Sequence, residues 1–324
     1  LWQSFVFEVR VVAPIVRRVS APAELRASTR FCAVFGHPVR HSASPAMHNP
    51  ALAALGLDWR YLACDVHPDR LREAIAGAQA MKFIGLNLTV PHKLLAVDLV
   101  DELDVSAKRW GAVNTVRFEG RHAHGGWQPL REFVTDAPVE LRSHGFNTDA
   151  DAIATAVHED LNLVLRGASV LLLGAGGAGQ TAALKLAAEG VASLFLVNRT
   201  TAKVTALAEE VRRQFPSVYV GVGYPKTKVD LVMNATSLGL KPSDPSPLDE
   251  AQFSLRQAGA VYDMIYRPAE TPLLRAAKAA GCKTANGLGM LLYQGAKALE
   301  IWTGRPAPVE IMRAALRENV YGPA

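Results

Sequence analysis

The chain has 324 residues, 49% hydrophobic and 20% charged, about twice the usual length of a single domain, so two domains with sizeable cores are expected and a mostly disordered chain is excluded. Thirty-five Lys and Arg against 30 Asp and Glu leave a net charge of +5, scattered rather than gathered into a stripe, which argues against nucleic-acid binding. No apolar run reaches the roughly 18 residues of a membrane helix, and Cys32, Cys64 and Cys282 are far apart with no CxxC pair. A soluble, cytoplasmic protein in a reducing compartment, without a zinc site, is the expectation.

Residues 1–30 mix apolar, Arg and Pro residues without the apolar core of a secretory signal and are read as an extension outside the fold. FCAVFG (31–36) reads as a buried strand and 44–56 as a helix with Ser44 as its cap and Pro45 in its first turn. A strand at 59–66, an amphipathic helix at 68–79 and a strand at 83–90, stopped by Pro91, follow. Residues 121–143 show no clear period. A second series begins at Asn147, with a helix at about 149–160, the strand SVLLL (169–173), a glycine turn, a helix at 178–189 and a strand at 193–197. Strands at 229–235 and 260–265 and a last helix at about 289–302 complete it. Strands alternating with helices predict an α/β fold with mainly parallel sheets, divided into domains at 31–146 and 147–284, with C-terminal helices at 285–318.

The run Gly174-Ala175-Gly176-Gly177-Ala178-Gly179 follows an apolar strand and opens a helix, the context in which a GxGxxG turn brings backbone N–H groups to a dinucleotide pyrophosphate. The next strand ends in Asn198-Arg199-Thr200, followed by Lys203, with no carboxylate to accept from a ribose 2′-hydroxyl. Positive charge at that point favours a 2′-phosphate, hence NADP over NAD.

The first series gathers polar residues at strand ends: Ser42 and Ser44, Asn87, Thr89 and Lys93, then Asn114 and Thr115, and finally Asp149. Short hydroxyls and amides can bind a carboxylate and several hydroxyls, and a Lys beside an Asp can supply the proton that a ketone oxygen needs when hydride reaches its carbon. His37, His41 and His48 share their segment with two prolines, so a helical metal face is not expected, and His92 is read as packed or exposed rather than catalytic.

The ordered series VFGHPVRHSASPAMHN, NLTVPHK, GAVNT, GFNTDA, GAGGAG, NRT, NATSLG, YDMIY and GLGMLLYQGAKALEIWTG resembles the shikimate dehydrogenase family from about Phe31 to Leu316. The resemblance implies an N-terminal substrate domain, a Rossmann NADP domain and last helices that return to the first domain. It implies reversible NADPH-dependent reduction of 3-dehydroshikimate to shikimate, in aromatic amino acid (chorismate) biosynthesis. By position, Ser42 and Ser44 would hold the substrate carboxylate with Tyr266 nearby, and Thr89, Asn114, Asp149 and Gln294 its hydroxyls. Lys93 and Asp149 would be the catalytic dyad. Gly174, Ala175, Gly176, Gly177 and Ala178 would hold the pyrophosphate, Asn198, Arg199, Thr200 and Lys203 the 2′-phosphate, and Met264 and Gly287 would border the nicotinamide. A quinate/shikimate enzyme with relaxed choice and a non-catalytic NADP-binding regulator remain as alternatives, and a homodimer is left open. Two features depart from the family. After Asp149 the chain has Ala150 and Asp151 where the family commonly has glycines (NTDGxG), and Asp151 is expected to add charge near the dyad. About 20 extra residues separate GAVNT from the NTD triplet, and this insert is expected at the rim of the substrate cleft or at a subunit contact.

Overall fold

In the computed structural model, which describes residues 25–134, 137–241 and 243–323, the alternation read from the sequence becomes two separate sheets. The first contains β1 (Arg30–Gly36), β2 (Trp59–Asp65), β3 (Gly85–Leu88), β4 (Glu102–Leu103), β5 (Thr115–Arg121), β6 (Trp127–Pro129) and β7 (Glu140–Phe146). Their order is β2-β1-β3-β5-β7-β4, with β6 paired to β5. β1 runs parallel to β2 and β3, whereas β5 is antiparallel to β3 and β7. Helices α1 (Ser44–Ala54), α2 (Leu71–Ala80), α3 (His92–Leu95) and α4 (Val105–Trp110) connect the strands. Cys32, Ala33, Val34 and Phe35 are all buried, as a strand covered on both faces requires, and α2 buries Leu71, Ile75 and Ala78 at helical spacing.

The expected cap of α1 is not where the sequence put it. Ala43 precedes the helix, Ser44 is its first residue, and the Ser44 N–H is met by the Ser42 hydroxyl at 3.3 Å, so the adjacent serine takes the donor that a cap would have taken.

The second sheet is built from α5 (Asp149–Leu161), β8 (Ser169–Leu173), α6 (Gly177–Ala188), β9 (Ser193–Val197), α7 (Thr201–Gln214), β10 (Tyr219–Val222), β11 (Val229–Asn234), β12 (Ala258–Asp263), α8 (Pro272–Ala279) and β13 (Lys283–Asn286). All six strands are parallel, in the order β10-β9-β8-β11-β12-β13. Alternate residues of β8 feed opposite cores: Val170 and Leu172 pack with Ala182 and Leu186 of α6, Leu171 and Leu173 with Leu273 and Leu274 of α8. The order reverses between β8 and β11, and there the strand ends leave a crevice.

Helices α9 (Leu288–Thr303) and α10 (Val309–Tyr321) return to the first sheet, where Leu292, Leu299, Trp302, Met312 and Leu316 join the core of β1 and α1. The buried Trp302 donates Nε1–H to the Val116 carbonyl at 2.9 Å, and it lies so close to β3 that a Cβ on Gly85 would overlap the indole.

The extra residues lie away from the cleft. Arg30, at the first residue of β1, donates to the carbonyls of Leu130 (2.7 Å) and Arg131 (3.3 Å), and Arg131 donates to the last-turn carbonyls Ile301 and Trp302 of α9. Leu130 and Phe133 are buried in the first core. The insert thus closes the N-terminal end of β1, opposite the strand ends that carry the polar residues; the burial of Leu130 and Phe133 and the last-turn carbonyls of α9 decide the place. The expectation of a cleft-rim position is corrected accordingly.

Candidate active site

At the C-terminal ends of β1 and β3, a cavity of about 220 Å³ lies between the first sheet, the start of α5 and α9. Ser42 reaches it from the loop after β1, Ser44 from the first turn of α1, Thr89 from just past β3, and Lys93 from α3. Asp149, Met264, Tyr266, Gly287 and Gln294 close the other side. All but one of the residues expected to bind or act on substrate therefore meet in one place, with both residues expected at the nicotinamide.

The Lys93 ammonium lies 2.6 Å from the Asp149 carboxylate, which is 12% exposed against 33% for the lysine side chain. Asn147 sets this geometry, because its Oδ1 accepts from the N–H groups of Asp149 (3.1 Å) and Ala150 (3.3 Å) and so closes the first turn of α5. An ammonium has three N–H donors, so a Lys93 that spends one on Asp149 keeps two for a ligand.

Asn114 does not line the cavity. It is 1% exposed, its Nδ2 donates to Thr148 Oγ1 (2.9 Å) and its Oδ1 accepts from Thr148 N–H (2.8 Å), which places it behind the wall. Asn87, whose part in the site the sequence reading left unassigned, is on the wall instead. Its place two residues before Thr89 in a strand was the available signal, since i and i+2 share a face.

Asp151 does not add its charge to the dyad. Its Oδ1 accepts from Lys185 Nζ at 2.6 Å, and Glu189 takes the same ammonium at 2.6 Å. Burial alone would lower the Lys185 pKa, but the two carboxylates outweigh it and raise it. The pair instead ties the first turn of α5 to the last of α6.

The crevice at the strand-order reversal has a volume of about 640 Å³ and is lined by Gly174, Gly176, Asn198, Arg199, Thr200 and Lys203. Gly174 has φ +111°, and a Cβ on Gly179 would strike the Gly174 carbonyl, so both positions require glycine. Ala175 is buried and does not line the crevice; its N–H donates to Asn198 Oδ1 at 3.2 Å and links the turn to the end of β9. Gly177 and Ala178 are exposed in the first turn of α6, whose N-terminus has no side-chain cap. Free N–H groups at a helix start, flanked by Arg199 and Lys203, fit a dinucleotide with a 2′-phosphate.

The sequence reading missed Thr236, Ser237, Tyr224 and Asp249 on this crevice. The first two follow β11, whose pairing with β8 alone brings them to Gly174. Asn234 and Asp263 brace these loops: Asn234 Oδ1 accepts from Thr236, its Nδ2 donates to Asp263 at 2.9 Å, and Asp263 accepts from Ile265 N–H and the Thr271 hydroxyl. Burial pushes the Asp263 carboxyl above its ordinary value, against these hydrogen bonds. Among the described residues no three metal-ligating side chains converge, and no helix is long and apolar enough to cross a membrane.

An uncapped glycine turn at a parallel-sheet switch point, beside a cavity that holds a Lys–Asp pair, defines a two-domain, dinucleotide-dependent oxidoreductase. Family models described as shikimate dehydrogenase substrate binding domain, shikimate / quinate 5-dehydrogenase and shikimate 5′-dehydrogenase C-terminal domain match residues 34–116, 155–237 and 287–317. The chain is similar to the shikimate dehydrogenase (NADP(+)) of Methanopyrus kandleri, 38% identical over 309 residues, 93% of this chain and 100% of the relative. That of Moorella thermoacetica is 41% identical over 303 residues, 91% of this chain and 95% of the relative. The crystal structure of the Thermus thermophilus shikimate 5-dehydrogenase in complex with NADP(H) and shikimate matches with a TM-score of 0.73 at 37% identity, over 90% of this chain and 99% of that one. The chain belongs to the shikimate dehydrogenase family.

Proposed function

We propose that the chain catalyses the reversible NADPH-dependent reduction of 3-dehydroshikimate to shikimate in aromatic amino acid biosynthesis, with Lys93 as the proton donor and Asp149 as its partner. The observation that carries this reading is the 2.6 Å Lys93–Asp149 pair on the wall of a cavity that also holds Ser42, Ser44, Thr89 and Gln294. A regulator that only bound the cofactor would have no use for that pair.

When bound, NADPH supplies the hydride. The turn from Gly174 to Ala178 would hold its pyrophosphate, Asn198, Arg199, Thr200 and Lys203 its 2′-phosphate, and Met264 and Gly287 would border the nicotinamide end. Ser42 and Ser44 hold the substrate carboxylate, with Tyr266 beside it. Lys93 Nζ gives a proton to the ketone oxygen as negative charge grows there, and in the reverse direction receives it from the hydroxyl. Asp149 keeps the ammonium oriented and accepts from a substrate hydroxyl. Asn114 supports the wall through Thr148. Cytoplasmic placement and a homodimer go with this reading and are checked by fractionation and light scattering.

Steady-state oxidation of shikimate and quinate, each with NADP and with NAD, tests the assignment. Activity confined to shikimate with NADP is expected, and comparable rates on quinate or with NAD would move the chain to a broader quinate/shikimate enzyme. Lys93→Ala is expected to lower kcat by roughly 10²–10⁴-fold with little change in KM. A large rise in KM at unchanged kcat would overturn the acid/base role.

A further inference from the structure

We propose that Tyr61, which does not line the cavity, is a positioning residue for substrate binding: the Asn114 carbonyl sets which end of the Asn87 side-chain amide faces inward, and the Tyr61 hydroxyl holds the Asn87 oxygen in place, so that Asn87 offers the substrate an oxygen acceptor and never an N–H. This rests on the reaction proposed above and adds a specificity element to it.

Hydrogen-bond accounting carries the argument. Asn87 Nδ2 has two hydrogens, and both have partners inside the protein, the Asn114 carbonyl at 3.2 Å and Thr115 Oγ1 at 3.1 Å. Asn87 Oδ1 accepts from the Tyr61 hydroxyl at 2.7 Å. A backbone carbonyl can only accept, so the amide atom facing Asn114 must be Nδ2 and the one facing Tyr61 must be Oδ1. The capacity left to the cavity is the second lone pair of Oδ1.

The same polarity runs on beneath the cavity. Thr115 Oγ1 donates to Asn114 Oδ1 (3.3 Å), Asn114 Nδ2 to Thr148 Oγ1 (2.9 Å), and Thr148 Oγ1 to the Gln294 carbonyl (3.0 Å). The far end is again set by the backbone, because Thr148 N–H points to Asn114 Oδ1 at 2.8 Å. Tyr61 feeds this directed chain, and its hydroxyl also faces the Ser44 side chain on the cavity wall.

Its surroundings suit that task. Tyr61 is 2% exposed, and its ring stacks on His48 at 4.2 Å with 10° between the planes. Burial pushes the phenol well above its ordinary value, so it remains a donor, and holds His48 down at about 3, so the stacked ring stays neutral.

Tyr61→Phe keeps the ring and removes only the hydroxyl, which donates to Asn87 and also faces Ser44; an Asn87→Ala background separates the two. Loss of one buried hydrogen bond to an oriented amide should lower kcat/KM for shikimate by roughly five- to thirtyfold, mostly through KM, and weaken shikimate binding by calorimetry on the protein alone by a similar factor. KM for NADP should hardly move, and the thermal midpoint should fall by no more than a few degrees. With analogues that each lack one ring hydroxyl, the penalty should disappear for the one whose hydroxyl Asn87 accepts. In an Asn87→Ala background, Tyr61→Phe should add less than about twofold. An unchanged Tyr61→Phe enzyme, or a penalty equal for every analogue and fully additive with Asn87→Ala, would overturn the proposal. A wild-type protein inactive on shikimate would instead take down the functional reading, and this inference with it.

Discussion

Glu119 offers the sharpest test of how the first sheet holds the site. It is 2% exposed on β5, where it accepts from Arg142 Nε at 2.7 Å, from Arg117 Nε at 3.1 Å and from His144 Nδ1 at 3.1 Å. Burial alone would raise its carboxyl, but the hydrogen bonds from His144, Arg117 and Arg142 prevail and bring it from 4.5 down to about 2. A carboxyl depressed in the folded state contributes stability that is complete above its unfolded value and is lost as pH falls through the folded one. At about 1.4 kcal/mol per pH unit, the fall from 4.5 to about 2 is worth about 3 kcal/mol. Glu119→Gln should therefore lose about 3 kcal/mol at pH 7, with the difference shrinking between about pH 4.5 and 2. Urea unfolding of both proteins at a series of pH values reads this directly, since other carboxylates titrate alike in both. A difference constant from pH 7 to pH 2 would refute the reasoning. The seam matters for function because β5 pairs with β7 through Thr115 and Phe146, and the chain continues from Phe146 into Asn147, Thr148 and Asp149.

Three further outcomes are expected. Lys185→Met leaves two carboxylates that reach water and should cost only about 1 kcal/mol, whereas Asp151→Asn with Glu189→Gln strands a 10% exposed ammonium and should cost about 3 kcal/mol or more; urea midpoints in the reverse order would sink the account. Gly85→Ala forces Trp302 away and breaks its bond to Val116, so overpacking and an orphaned donor together should cost about 4 kcal/mol, and a variant as stable as wild type would show that β3 and α9 can separate. Arg199→Ala should weaken NADP binding by roughly five- to a hundredfold and leave NAD unchanged, and an equal loss with both would remove its assignment to the 2′-phosphate.

What could be read in the chain was local. The strands at 169–173 and 193–197 fall on the residues expected, because a buried parallel strand is a short unbroken apolar run and its neighbours are turn formers. The glycine turn was legible for a similar reason, since Gly174 needs its positive φ whatever surrounds it. In contrast, β7 is ELRSHGF, a strand with no apolar alternation, which exists because β5 pairs with it along seven residues and because Glu119 meets its Arg142 and His144.

The candidate site divides in the same way. Residue type and order alone predicted that a lysine, an aspartate and two serines would share one cavity, where the fold does place them, and that a glycine turn would open a helix in the second domain. Only the tertiary structure decided that Asn114 stands behind the wall while Asn87 forms it, that Asp151 pairs with Lys185 on α6, that Thr236 reaches the glycine turn and that the insert closes the far end of the sheet. The physical reason is range. Strand, helix and turn preferences act within about four residues, whereas the partner of a polar side chain is chosen by strand pairing and helix packing between segments tens to hundreds of residues apart.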